Sequence, residues 1–142
     1  MSLNANLSGQ SPQEHVYATA AAARVKGAPV YLGMSSTGFV DVSLVDDALV
    51  HKVVVADADF ASGGNGLYVA KGEVVMTVPS GNYTAGHGLK VLDGAVASTG
   101  AVFPAAGLAG DAQTAFAVIK TGGTAVTSIT AVLHGEQFTA TT

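Results

Sequence analysis

Six Lys and Arg against ten Asp and Glu in 142 residues give a net charge of −4, and only 11% of the chain is charged, against roughly 25% in an ordinary soluble domain. So few basic residues, none of them clustered, cannot neutralise a row of phosphates, and no apolar run approaches the ~20 residues that span a bilayer, so neither nucleic acid nor membrane is expected as a partner. The absence of cysteine removes disulfides, thiol catalysis and Cys-ligated metals together.

Residues 1–14 are polar apart from isolated apolar positions, and the stretch MSLNANLSGQSPQEH has neither the basic start nor the apolar segment of a secretory signal. It reads as a flexible N-terminal arm that orders on a partner, with Leu3 and Leu7 as anchors and Asn4, Gln10 and Pro12 beside them. Ser11-Pro12-Gln13-Glu14 then has the form of a helix start: Ser11 can cap, Pro12 suits the first helical position, and Glu14 completes a capping box. With the Ala-rich run 18–23 and Gly27 as a stop, local propensity predicts one short helix over 12–26.

From Ala28 onward the signals are β. Pro29-Val30-Tyr31-Leu32 reads as a strand, Ser35-Ser36-Thr37-Gly38 as a turn, and Phe39-Val40-Asp41-Val42 as an alternating strand. The run 48–55 is long and β-branched, and Val is the dominant bulky residue of the chain. Ser62-Gly63-Gly64-Asn65-Gly66 is a loop, with a strand at 67–70 after it and another at 72–78, ended by Pro79-Ser80-Gly81-Asn82. Asp93-Gly94 between Leu89-Lys90-Val91-Leu92 and Ala95-Val96-Ala97 is a strong hairpin signal. Residues 103–110 form a Pro/Ala/Gly loop, and 115–120 pairs with 126–133 around Thr121-Gly122-Gly123-Thr124. Eight or so short strands at this spacing predict an all-β domain, a small β-barrel or β-sandwich over 15–142, with 1–14 as its arm.

Chemistry finds little support. The four histidines, His15, His51, His87 and His134, show no metal-ligand spacing. Asp57-Ala58-Asp59 begins like a calcium loop, but the fifth position is Ala61 and the twelfth is Tyr68. No Gly-x-Ser-x-Gly elbow is present, and Gly63-Gly64-Asn65-Gly66 lacks the Lys-Ser/Thr of a phosphate loop. Neither a catalytic residue, nor a metal site, nor a cofactor is expected.

The pattern Gly110-Asp111, Ala115-Phe116-Ala117-Val118-Ile119, a Gly/Thr turn, then Ile129-Thr130-Ala131-Val132-Leu133-His134-Gly135-Glu136-Gln137-Phe138 resembles the head decoration proteins of tailed bacteriophages. Tyr83-Thr84-Ala85-Gly86-His87-Gly88-Leu89-Lys90-Val91 followed by Asp93-Gly94-Ala95-Val96 is similar to the small barrel of capsid cement proteins, as is Lys26-Gly27-Ala28-Pro29-Val30 with Gly38-Phe39-Val40. The resemblance implies a non-enzymatic virion protein, made in the host cytoplasm. It would bind the outside of the expanded capsid as a homotrimer and bridge capsomers. Its partner would be the major capsid protein, contacted through an arm that carries Leu3, Asn4, Leu7, Gln10 and Pro12. A small carbohydrate-binding or adhesion module on a virion or cell surface is the alternative reading, and a hydrolase with a His/Asp site in a cleft is a third.

Overall fold

The computed structural model describes residues 13–44, 52–102 and 115–133. The arm residues Leu3, Asn4, Leu7, Gln10 and Pro12, the loop 103–110 and two of the histidines, His51 and His134, lie outside them.

Every regular element among the described residues is a strand: β1 (Glu14–Thr19), β2 (Pro29–Ser35), β3 (Gly38–Val42), β4 (Lys52–Ala56), β5 (Asn65–Tyr83), β6 (His87–Leu92), β7 (Ala95–Val102), β8 (Ala117–Thr121) and β9 (Gly123–Leu133). Their hydrogen-bonded order is β1-β3-β2-β4-β5-β9-β8-β6-β7, and β5 also pairs with β1. That extra pairing closes β1, β3, β2, β4 and the first half of β5 into a five-stranded barrel, mixed because β1 and β3 run parallel. The second half of β5 leaves the barrel and begins a second sheet with β9, β8, β6 and β7.

The helix expected over 12–26 is not formed. Residues 14–19 are β1, laid antiparallel on β5 from Glu14↔Lys71 to Thr19↔Asn65. The reason is a period-two pattern that local propensity does not see. Ala18 and Ala20 are buried, with Val16 packed beside them, whereas His15, Tyr17 and Thr19 face solvent. The small inward side chains fit the narrow barrel interior, and pairing with β5 satisfies the backbone that a helix would have satisfied internally.

One further expectation changes. The strands read at 67–70 and 72–78 are one strand of 19 residues, and the Pro79-Ser80-Gly81-Asn82 turn lies inside it. The register on β9 shifts between Thr77 and Gly81 and again between Gly81 and Tyr83, so the proline occupies an irregular stretch where the ladder needs no donor from it. Of the β-branched run 48–55, residues 48–51 lie outside the described residues and the rest lies in β4, Lys52–Ala56. Its unbroken apolar character has a physical cause. Val54 and Ala56 point into the barrel with Ala18, Val30 and Tyr68. Val53 and Val55 point outward, into a second core with Tyr31, Val69, Met76, Leu89, Ile119 and Leu133. A strand buried on both faces has no solvent side to alternate towards.

The Asp93-Gly94 hairpin forms as expected, with Leu92 opposite Ala95. Asp93 has φ 52° and Gly94 φ 80°, the left-handed pair that a two-residue type I′ turn requires.

Candidate interaction surface

The most elaborate polar arrangement lies inside the barrel. Asp41, opposite Leu32 on β2, falls on the inward parity of β3 and is 1% exposed. Its Oδ1 accepts the Ala21 N–H at 2.6 Å and Arg24 Nη2 at 3.0 Å. Its Oδ2 accepts Arg24 Nε at 2.9 Å and the Tyr68 hydroxyl at 2.5 Å. Arg24 is itself held by a two-way backbone bridge to Phe60, and its Nη2 also reaches Ser43 Oγ. The Phe60 ring packs tilted on Tyr68, centroids 5.1 Å apart.

Burial pushes the Asp41 carboxyl upward, but the hydrogen bonds from Arg24, Tyr68 and Ala21 outweigh it and hold it below the ordinary 3.8. The same bonds raise Arg24, with Asp41 the main cause, and burial with the Asp41 bond keeps the Tyr68 phenol protonated far above its ordinary range. With four donors on two oxygens, the carboxylate is saturated and aims no lone pair at a substrate. The cluster is a lock that ties the β1–β2 connection to β3 and β5.

Two grooves open on the surface. One, of about 600 Å³, lies where the barrel meets the second sheet and is lined by Gln13, Lys26, Asp57, Glu73, Thr77 and Thr130 among others. Its lining contains no aromatic ring on which a sugar could stack. The other, of about 390 Å³, separates 77–79 of β5 from 94–96 of β7, with Arg24, Ser43 and Leu44 along it. Large apolar side chains stand exposed around both units: Tyr17, Met34, Val75 and Val102 are each 59–69% accessible. Such a surface, poor in charge and dotted with apolar groups, suits burial against protein better than recognition of a charged ligand.

Of the residues weighed for chemistry, His15 Nε2 lies 3.3 Å from Asp57 Oδ2 on a partly exposed stretch, and Asp59 accepts the Lys26 N–H. The two aspartates that begin the calcium-like segment are therefore spent on different neighbours. Among the described residues no three His, Cys, Asp or Glu come together as a metal set. Gln13, the first described residue after the arm, donates from Nε2 to the Glu73 carbonyl at 2.7 Å.

Sequence reasoning did not single out Asp41, Arg24 or Tyr68. The available signal was parity: in Phe39-Val40-Asp41-Val42 the acid shares its face with the inward side of an apolar barrel, and a buried acid needs a cation.

No family model and no curated protein matches the chain. Among solved structures, the fold is similar to that of the head fiber gp8.5 N base of bacteriophage phi29, with a TM-score of 0.58 at 13% identity, over 90% of this chain and 99% of that one.

Proposed function

We propose that this chain is a non-enzymatic structural protein of a phage virion, seated on the outside of the head. The observation that carries the reading is the fold, which matches the N base of a phage head fiber over nearly the whole of that solved chain. The composition supports it independently, since a chain with 11% charged residues and exposed apolar side chains suits packing on a repeated protein surface. The partner is the major capsid protein, the working form is a homotrimer, and the arm with Leu3, Asn4, Leu7, Gln10 and Pro12 adds a strand to an exposed edge of that shell protein. Many copies on one shell bind by avidity without strong single contacts.

Purified protein mixed with undecorated heads tests this by electron microscopy. Added density at regular exterior positions is expected, with occupancy changing less than two-fold between low and moderate salt because few charges are available. Binding to naked DNA rather than heads, or a steep loss of occupancy with salt, would overturn it.

A further inference from the structure

The β2–β3 hairpin ends in a stiff, uncharged tip. From Pro29 to Val40 no side chain carries a charge. Ser35 Oγ accepts the Thr37 N–H at 3.2 Å, lies 3.0 Å from Thr37 Oγ1 and donates to the Gly38 carbonyl at 3.1 Å, so the turn is pinned by its own side chains. Met34 and Phe39 face each other across the two strands just behind it, 69% and 41% exposed. Two large apolar side chains held open on a preorganised turn have the form of an anchor that fills a pocket on a partner.

The same hairpin has an apolar groove at its other end. The groove of about 390 Å³ is walled by Pro29, Leu44, Val78, Pro79, Ala95 and Val96. Arg24, the charged residue in that lining, is already neutralised by Asp41. A cavity of about 150 Å³ holds a benzene ring, so this groove has room for the Phe39 ring with Met34 beside it.

We propose that the tip of one copy, with Met34 and Phe39, docks in this groove on the next copy. The chain's own tip is excluded by length: Pro29 lines the groove, Ser35 opens the turn, and β2 between them runs about 20 Å. Charge favours a second copy meeting the first at these two places. The chain is −4 overall, so copies repel, and contact between them is best made where charge is absent or neutralised, as it is at both the tip and the groove. Tip and groove are different patches, so the contact is heterologous, and repeated about a rotation axis it closes into a ring. The contact stands apart from the head-surface reading, and only a ring size of three rests on that reading.

The natural absence of cysteine makes a direct test available. The full chain carrying Ser36→Cys at the tip and Ser43→Cys at the groove is treated in concentrated solution, without heads, with a bismaleimide too short to span the hairpin. A ladder of two-chain and three-chain species is expected, at least ten-fold above either single-cysteine variant. Adding Met34→Asp and Phe39→Asp should abolish the ladder while the β circular-dichroism spectrum persists. In the cysteine-free chain the same two aspartates should lower the mass seen by sedimentation at high concentration to that of one chain. Folded protein that stays a monomer and gives no ladder would overturn the proposal, as would a ladder that survives the aspartates. Cross-linking of the tip to a shell subunit alone would overturn it too. Head decoration measured on the same proteins separates the two readings. Heads decorated by protein that forms no ladder sink this contact alone, whereas a ladder with bare heads sinks the head-surface reading alone.

Discussion

Replacing Asp41 with Ala removes the acceptor of four hydrogen bonds at once. Arg24, its side chain 12% exposed, is left as a mostly buried cation without its counter-ion, and the fully buried Tyr68 hydroxyl loses its acceptor. Breaking a buried ion pair from one side typically costs about 3–5 kcal/mol, a large part of a native reserve of about 5–15 kcal/mol. For a chain of this size that lowers the midpoint of thermal unfolding by roughly 10 °C or more. Tyr68→Phe removes one bond to a charged group and should cost about 1.5–3 kcal/mol. The double variant is the sharper measurement. With no hydroxyl left to orphan, Asp41→Ala with Tyr68→Phe should cost clearly less than the two single losses summed. Urea unfolding followed by circular dichroism gives all three values, with an unchanged slope against urea as the sign that only stability has moved. An Asp41→Ala loss under about 1 kcal/mol, the range of an ordinary surface change, would refute the assignment of this carboxylate as a saturated buried lock.

Acid should find the same group. Asp41 titrates below the unfolded value of 3.8 in the folded protein, so its contribution is present above that pH and is lost as pH falls through the lower folded value. Unfolding midpoints should therefore drop below about pH 4 in the parent and drop less in Asp41→Asn; equal slopes would exclude the group. At alkaline pH, Tyr68 and Tyr83 should keep their protons where an ordinary phenol with a value of 10.0 loses its own, both being raised by burial and Tyr68 also by its bond to Asp41. The sign is then opposite: this stability is full below pH 10 and declines above it as the unfolded phenols ionise first, which the phenolate ultraviolet band of parent and Tyr68→Phe would register. Gly122→Ala would place a Cβ 1.9 Å from the Tyr83 carbonyl oxygen, so main chain must move; a loss at the upper end of about 1–3 kcal/mol is expected, and a neutral urea midpoint would contradict that packing.

The residues Leu3, Asn4, Leu7, Gln10 and Pro12 fall outside the described chain, so their part in attachment rests on the head-binding experiment. Within the described chain, the readings that held depend on neighbours in sequence. Asp93-Gly94 makes its turn because the two left-handed backbone positions are set by those two residues. The pairing of 115–120 with 126–133 is realised in part: β8 meets the far end of β9, from Ala117↔Leu133 to Thr121↔Thr130, while the stretch just after the glycine turn pairs with β5. What misled was also local. Ser11-Pro12-Gln13-Glu14 and the alanines after it carry helical preference, and nothing within that stretch announces that β5 will offer it a ladder.

The sequence by itself determined the class of this protein: β-branched runs, frequent turn residues and scarce charge specify strands and a surface suited to being covered. Only the tertiary structure decided that β5 runs unbroken for 19 residues and belongs to both units, that β1 is a strand, and that Asp41, Arg24 and Tyr68 meet. The physical reason is the same in each case. Backbone groups and a buried carboxylate must find partners, and here the partners are supplied by segments distant in sequence, so the outcome lies in closure of the barrel rather than in any window of the chain.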